Sequence, residues 1–110
     1  MSGWHVEYTR AAAKDIRRLH EPVKSHVYQA LAKVSSNPLP FTEGGYGKPL
    51  GNKAGNNLTG LLKVKLRGDG IRIVYRLERV EQTMLVIVVS VRDDNAVYDE
   101  AARRIGGQRR

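Results

Sequence analysis

The chain contains 110 residues, of which 19 are lysine or arginine and 11 are aspartate or glutamate, so its formal net charge is +8. This length predicts a single domain, and a hydrophobic fraction of 41% is sufficient for one small core. Because the sequence has no cysteine, it excludes a disulfide framework, a thiolate-bound metal and a cysteine nucleophile.

The N-terminal third has the pattern of one strand followed by two helices. Apolar and polar residues alternate over residues 4–8, which predicts a short half-buried strand. Thr9 can cap a helix over residues 10–19, and Pro22 suits the first turn of a second helix that ends at Asn37. The short link between the two helices predicts an antiparallel hairpin.

Residues 38–60 differ in composition from the rest of the chain. Six glycines and three prolines lie in these 23 residues, with almost no periodic apolar signal. The segment is therefore predicted to be a long irregular loop, a kind of connection that is usually functional or mobile. It is not a domain boundary, because too little chain remains on either side for two cores.

Three strands are predicted next. Residues 62–67 and 71–77 alternate between apolar and polar side chains, and Gly68-Asp69-Gly70 between them is a turn signal. Residues 84–91 are almost continuously apolar, which predicts a strand inside the sheet that is buried on both faces. These three strands would form an antiparallel meander.

The last element is predicted to be a helix that Asp93, Asp94 or Asn95 caps. Gly106 and Gly107 end it, and residues 106–110 form a frayed tail. The fold class is therefore α+β, in the order β-α-α-β-β-β-α. We expect a small antiparallel sheet, made of the meander and the N-terminal strand, that packs with the helical hairpin on one face and with the C-terminal helix. Because the sheet is small, its other face could be open.

The charge of the chain indicates its class of partner. The N-terminus lacks the pattern of a signal peptide, and the longest apolar run, residues 84–89, is too short for a membrane helix. We therefore expect a cytoplasmic protein that does not bind membranes. A sequence pI near 10.1 favours a polyanionic partner, either nucleic acid or an acidic protein.

Basic residues concentrate on two of the predicted strands. Lys63, Lys65 and Arg67 occupy successive positions on one side of a strand, about 6.6 Å apart. Arg72 and Arg76 alternate with the apolar positions of the neighbouring strand. Together they would form a rigid cationic surface that suits phosphate groups, because rigidity lowers the ordering cost of binding. The alternative is an ordinary solvated strand face, where charge discourages edge-to-edge aggregation.

Other residue types give fewer indications of chemistry. Tyr98 could stack on a base or hydrogen-bond a hydroxyl, or it could seal the edge of the core. The histidines (His5, His20, His26) do not have metal-ligand spacing, so neither a metal nor another cofactor is predicted. Asp93 and Asp94 favour a helix start over an acid/base pair, since negative charge is stabilised at a helix N-terminus.

Two segments resemble a known family. Residues 61–75, LLKVKLRGDGIRIVY, resemble the signature hairpin of RelE/ParE-superfamily toxins, and residues 86–98 resemble their last strand and C-terminal motif. The order of elements agrees as well, so the resemblance covers nearly the whole chain as one RelE-like toxin domain. The loop over residues 41–60 is longer than in the best-known members.

The resemblance implies the toxin of a type II toxin-antitoxin system. RelE-like members are ribosome-dependent endoribonucleases that cut mRNA in the A site and inhibit translation. The implied partners are a cognate antitoxin that wraps the open sheet, the small ribosomal subunit and mRNA. Binding to DNA would be indirect, through the antitoxin complex.

The resemblance also assigns site residues. The implied catalytic residues are Lys63, Lys65, Arg72, Arg92 and Tyr98, and further RNA contacts are expected from Arg67, Arg76 and Lys48. One departure concerns Arg92. The segment between Ser90 and Tyr98 is two residues shorter than the family pattern, and an alignment without that gap places Asp94 where Arg92 is expected.

The implied chemistry is metal-independent attack of a ribose 2′-hydroxyl on the adjacent phosphate. Arg72 would hold the phosphate, Arg92 would act at the leaving group, and Lys63, Lys65 or Tyr98 could assist removal of the 2′-hydroxyl proton. Two alternatives stay open. ParE-like members inhibit DNA gyrase and cut no RNA, and a basic module could bind nucleic acid or antitoxin without catalysis.

Overall fold

A computed structural model describes residues 3–106 of the chain as an α+β fold. The elements are β1 (His5–Tyr8), α1 (Arg10–Arg17), α2 (Val23–Val34), β2 (Lys48–Lys53), β3 (Asn56–Leu66), β4 (Ile71–Glu78), β5 (Thr83–Ser90) and α3 (Asp94–Gly106). The predicted fold class is confirmed. Most of the tail that was predicted to fray lies beyond Gly106, outside the described residues.

The described strands form one mixed sheet in the order β1-β5-β4-β3-β2. The predicted meander is present, because β3, β4 and β5 are antiparallel neighbours. The N-terminal strand β1 pairs with β5 in parallel, from His5 opposite Thr83 to Tyr8 opposite Val86, so the sheet is mixed and not antiparallel throughout as predicted. As a result β5 lies inside the sheet, and its residues from Thr83 to Val89 are buried, as its apolar sequence predicted.

The prediction of an irregular loop over residues 38–60 is wrong in its second half. Residues 48–53 form β2, which pairs antiparallel with the start of β3. Ala54 and Gly55 connect the two strands with φ angles of 52° and 79°, and two positive φ angles are typical of a tight type I′ hairpin turn. Such turns are usually signalled by Asn-Gly or Asp-Gly, so an Ala-Gly pair concealed this one.

The two faces of the sheet carry separate halves of the core. Helices α1 and α2 cover one face, where Ile16 and Leu31 pack in a cluster with Tyr75. The other face is only partly open, because α3 covers part of it. The residues that form this second cluster are Leu50, Leu58, Leu61, Val74, Ile87, Val88, Val97, Tyr98 and Ala101. The apolar side chains of β3 and β4 on this face pack against α3. The basic side chains of the same two strands lie next to the N-terminus of α3.

Membrane insertion through a helix finds no support in this fold. Within residues 3–106, no helix combines the length and the apolar character that a membrane span requires.

Candidate nucleic-acid interface

Lys63, Lys65 and Arg72 share one face of the sheet because of the β3–β4 register. Lys65 lies opposite Arg72 and Lys63 lies opposite Val74. Residues that are directly opposite in an antiparallel pair project from the same side of the sheet. This is the face that α3 covers, so the three cations lie beside the start of that helix.

The start of α3 brings a carboxylate to these cations. Asp93 caps the helix, since its Oδ1 accepts a hydrogen bond from the backbone N–H of Ala96 at 2.8 Å. Asp94 is the first residue of the helix. Arg72 Nε donates to Asp94 Oδ1 at 2.9 Å, and the lysine Nζ atoms lie 3.6 Å (Lys63) and 3.9 Å (Lys65) from Asp94 Oδ2.

The electrostatics of Asp94 follow from these contacts. Burial raises the pKa of the Asp94 carboxyl, but the hydrogen bond from Arg72 and the charges of Lys63 and Lys65 outweigh this effect. The pKa therefore lies below its usual value, and Asp94 is ionised at neutral pH. Three cations thus converge on one anionic group, an arrangement that stabilises negatively charged oxygen atoms.

Tyr98 holds the most buried of these cations. Lys63 Nζ lies 2.7 Å from Tyr98 Oη, and the Lys63 side chain is only 8% exposed. The tyrosine itself is 6% exposed and belongs to the core cluster beneath α3. Of the roles considered from the sequence, Tyr98 therefore has one, because it seals the core; its hydroxyl also accepts a hydrogen bond from Lys63, which the sequence did not indicate. Its buried ring presents no face on which a base could stack.

A cavity of about 530 Å³ adjoins the cations. It lies next to the first residue of β2, since Lys48 is opposite Lys63 and the residues of β3 beyond Lys63 have no partner on β2 and form the wall of the cavity. The polar and aromatic residues that line it are Lys33, Tyr46, Lys48, Lys63, Lys65, Arg67 and Asp94. The structure thus brings the expected RNA contacts Lys48 and Arg67 to Lys63 and Lys65.

Arg92 and Arg76 do not line this cavity. Arg92 is exposed and lines a different cavity together with Glu100 and Arg104. Arg76 Nη2 lies 3.7 Å from Glu78 Oε2. The short connection between Ser90 and α3 explains the position of Arg92, because it places Asp94 beside the cations instead.

Sequence reasoning missed two residues of the cavity, Lys33 and Tyr46. Lys33 lies in the last turn of α2, and Tyr46 is an isolated aromatic in the Gly-rich segment. The only signal was the combination of one aromatic with several glycines, which does not by itself indicate a site. Among residues 3–106, no group of three histidines, cysteines or carboxylates is placed to hold a metal ion.

A small mixed sheet, with a helical hairpin on one face and a cationic cluster beside a third helix on the other, defines a basic α+β domain. The chain is 28% identical over 107 residues to the mRNA interferase toxin RelE of Escherichia coli K12, a match that covers 93% of this chain and 97% of that protein. The mRNA interferase RelE of Shigella flexneri matches to the same extent. No family model matches the chain.

Solved structures show the same relationship. The chain is similar to the free E. coli RelE toxin, with a TM-score of 0.66 and 25% identity over 93% of this chain and 98% of that one. It is also similar to the toxin-antitoxin complex RelBE2 of Mycobacterium tuberculosis, with a TM-score of 0.67 and 25% identity over 86% and 97% of the two chains. The chain is therefore RelE-like in sequence and in fold, as the resemblance implied.

Proposed function

We propose that this chain is the toxin of a type II toxin-antitoxin system and acts as a ribosome-dependent endoribonuclease that cleaves mRNA in the A site. The observation that carries the proposal is the convergence of Lys63, Lys65 and Arg72 on a single anionic group beside a cavity. The names of the relatives, mRNA interferase toxins, support the same activity.

The position of the Asp94 carboxylate supports the proposed binding mode. A phosphodiester, like a carboxylate, presents two anionic oxygens to hydrogen-bond donors. In the proposed complex, the scissile phosphate takes the place of Asp94 beside Arg72 and Lys65. Both of these side chains are partly exposed, at 18% for Arg72 and 31% for Lys65. Lys63 is less accessible and is held by its hydrogen bond to Tyr98.

The proposed reaction needs fixed positive charge more than any other chemistry. The ribose 2′-oxygen attacks the adjacent phosphorus and loses its proton to a general base, for which Lys63, Lys65 and Tyr98 remain the candidates. The bond from phosphorus to the 5′-oxygen breaks, and that oxygen takes up a proton. The products are a 2′,3′-cyclic phosphate and a 5′-hydroxyl. Negative charge grows on the phosphoryl oxygens, where preorganised cations lower the barrier without a metal.

A cognate antitoxin is the proposed protein partner. The matching structure from M. tuberculosis is a toxin-antitoxin complex. An acidic segment of such a partner would complement the net charge of +8 and cover Lys48, Lys65 and Arg67 at the mouth of the cavity. We propose that the protein acts in the cytoplasm, where its substrate is translated.

The first prediction tests Arg72. Arg72→Ala removes the hydrogen bond to the anion site, so cleavage of a translated mRNA should fall about 100-fold or more, the usual cost of one transition-state donor. The measurement is primer extension on mRNA bound to programmed ribosomes, with detection of the 2′,3′-cyclic phosphate end.

Arg17→Ala is the matched control, because Arg17 is an exposed arginine of α1 that does not line the cavity. This control should cleave like the wild type, and both variants should keep the far-UV circular dichroism of the wild type. An Arg72→Ala protein that is folded and fully active would contradict the proposal. Inhibition of DNA supercoiling by a wild-type protein that leaves mRNA intact would favour the gyrase alternative.

A further inference from the structure

Tyr46 is the exposed aromatic residue of the cavity that contains Lys63 and Lys65. It is 49% exposed, whereas Tyr98 on the other side of Lys63 is buried. Lys33 Nζ lies 5.5 Å from the centroid of the Tyr46 ring, within the range of a cation–π interaction. A half-exposed ring with a cation beside it, in a basic cavity, combines the two features by which proteins bind single-stranded nucleic acid.

The backbone around Tyr46 is fixed by hydrogen bonds to the segment that follows α2. The N–H of Tyr46 donates to the carbonyl of Asn37 at 3.0 Å, and the N–H of Gly47 donates to the carbonyl of Leu39 at 3.0 Å. A Cβ atom at Gly45 would overlap the backbone of Leu39. The backbone at position 45 therefore lies too close to Leu39 for any residue except glycine. This close packing holds the adjacent Tyr46 on a rigid segment.

A second close approach anchors the same support to the sheet. A Cβ atom at Gly47 would overlap the hydroxyl of Tyr75, a core residue of β4. That hydroxyl donates to the carbonyl of Pro38 at 2.8 Å. Burial raises the pKa of Tyr75 well above its usual value, so the hydroxyl remains a donor. The segment that carries Tyr46 is thus already ordered in the free protein. Binding therefore does not require the entropy cost of ordering it, which favours binding.

We propose that Tyr46 forms a nucleobase subsite, on which a base of a single RNA strand stacks while the flanking phosphates contact Lys33, Lys48 and Lys65. Stacking is favoured because the cavity offers an aromatic face among cations, which suits the alternating bases and phosphates of RNA. The inference rests on the proposed function, since it concerns the same cavity. It also gives the segment over residues 41–47 a role, namely to present one aromatic side chain beside the cationic strand.

The test compares two RNA hexamers that the protein cannot cleave because their 2′-hydroxyls are replaced by fluorine. One hexamer carries bases and the other is abasic throughout, so the phosphate charges are the same. Fluorescence anisotropy of labelled hexamers should show that Tyr46→Ala binds the base-containing hexamer about tenfold more weakly and the abasic hexamer equally well. Tyr46→Phe should bind both hexamers like the wild type, since it keeps the ring.

Tyr28→Ala is the matched control. Tyr28 is also 49% exposed, but it does not line the cavity, so its removal should leave both affinities unchanged. Equal affinity of Tyr46→Ala and wild type for the base-containing hexamer would overturn the inference. So would an equal loss for the two hexamers, or a wild type that binds both alike. Cleavage on ribosomes by the wild type decides the proposed function separately, because the hexamer measurement does not depend on catalysis.

Discussion

Asp94 occupies the position that the proposed function gives to a phosphate. Its carboxylate accepts from Arg72 and lies within 4 Å of two lysine ammonium groups. In the free protein, this carboxylate neutralises part of a cluster of like charges that would otherwise repel one another. In the proposed RNA complex, the same carboxylate would compete with the phosphate for Arg72.

Replacement of Asp94 should therefore change affinity and stability in opposite directions. Asp94→Asn removes the competing charge, so the non-cleavable RNA hexamer should bind about tenfold more tightly. The free protein should lose about 0.5–1 kcal/mol of unfolding free energy, because a partly exposed ion pair contributes little. Fluorescence anisotropy gives the first quantity and urea denaturation gives the second.

Glu81→Gln serves as the control for net charge, because Glu81 is an exposed carboxylate in the turn between β4 and β5. It removes one negative charge away from the cavity and should change affinity by less than about twofold at physiological salt. Tighter binding of the same size in both variants would mean that Asp94 acts only through net charge. Weaker binding by Asp94→Asn would mean that the carboxylate positions the cations instead of competing.

Beyond the end of β1, an ion pair between Asp15 and Arg104 hydrogen-bonds the edge of β5 that β1 leaves unpaired. The strand β1 pairs with β5 only as far as Val86. Beyond it, the N–H of Val89 donates to the carboxylate of Asp15 at 3.0 Å, and the carbonyl of Ile87 accepts from Arg104 Nη1 at 2.7 Å. Both Nη atoms of Arg104 also donate hydrogen bonds to Asp15, at 2.8 and 3.0 Å. Side chains from α1 and α3 thus supply the hydrogen bonds to β5 that a longer β1 would have made.

Loss of Arg104 should be costly because it removes hydrogen bonds from three partners, which are Asp15, Glu100 and the carbonyl of Ile87. Arg104→Ala removes the donors to Asp15 and to the Ile87 carbonyl, in a pair whose side chains are each 13% exposed. The expected loss of unfolding free energy is about 2–3 kcal/mol, measured by urea denaturation.

Arg103→Ala provides the comparison at the neighbouring position. Its guanidinium is 71% exposed and pairs with Glu100, so its removal should cost less than about 0.5 kcal/mol. If the two variants unfold at the same urea concentration, the ion pair between Asp15 and Arg104 does not stabilise the fold.

Among the helices and strands, the features that have a local sequence signal could be predicted. Thr9 was predicted to cap the first helix, and its Oγ1 accepts from the backbone N–H of Ala12 at 3.0 Å. The parallel pairing of β1 with β5 has no local signal, because it joins His5 to Thr83 across the sequence. The β2–β3 hairpin was missed because the buried apolar residues on either side of its turn, Leu50 and Leu58, are too far apart to show alternation.

The stability of the whole molecule should decrease in acid. Hydrogen bonds from Arg103, and then from Arg104, lower the pKa of Glu100 against the opposing effect of burial, and the pKa of Asp94 is lowered as described above. A carboxylate with a lowered folded-state pKa stabilises the protein fully above its unfolded pKa of about 4. This contribution is lost as the pH falls through the lower folded-state value.

Urea midpoints should be measured from pH 7 to pH 3. The contribution of Asp94 and Glu100 to the midpoint should be constant down to about pH 5 and should be lost below about pH 4. Glu100→Gln should reduce the part of the decrease that occurs below pH 4, at the expense of a lower midpoint at pH 7. A wild-type midpoint that stays constant down to pH 3 would contradict this assignment.

The candidate site was predictable only as far as the sheet determines it. The alternation of Lys63, Lys65 and Arg67, together with Arg72 on the next strand, places these cations from sequence alone once the hairpin register is known. The contributions of Asp94 and Tyr46 depend on how α3 begins and how the Gly-rich segment folds back onto residues 37–40. Such long-range contacts leave no periodic trace in a single sequence.

The long-range contacts of this fold also bear on how the molecule is made. A nascent chain that has emerged only as far as β4 contains Lys63 and Arg72, but it lacks both the strand that pairs with β1 and the tyrosine that holds Lys63. The ion pair between Asp15 and Arg104 spans 89 positions, so it can form only after α3 has been synthesised. In a protein with the proposed function, the phosphate site would therefore be assembled only after β5 and α3 have been synthesised.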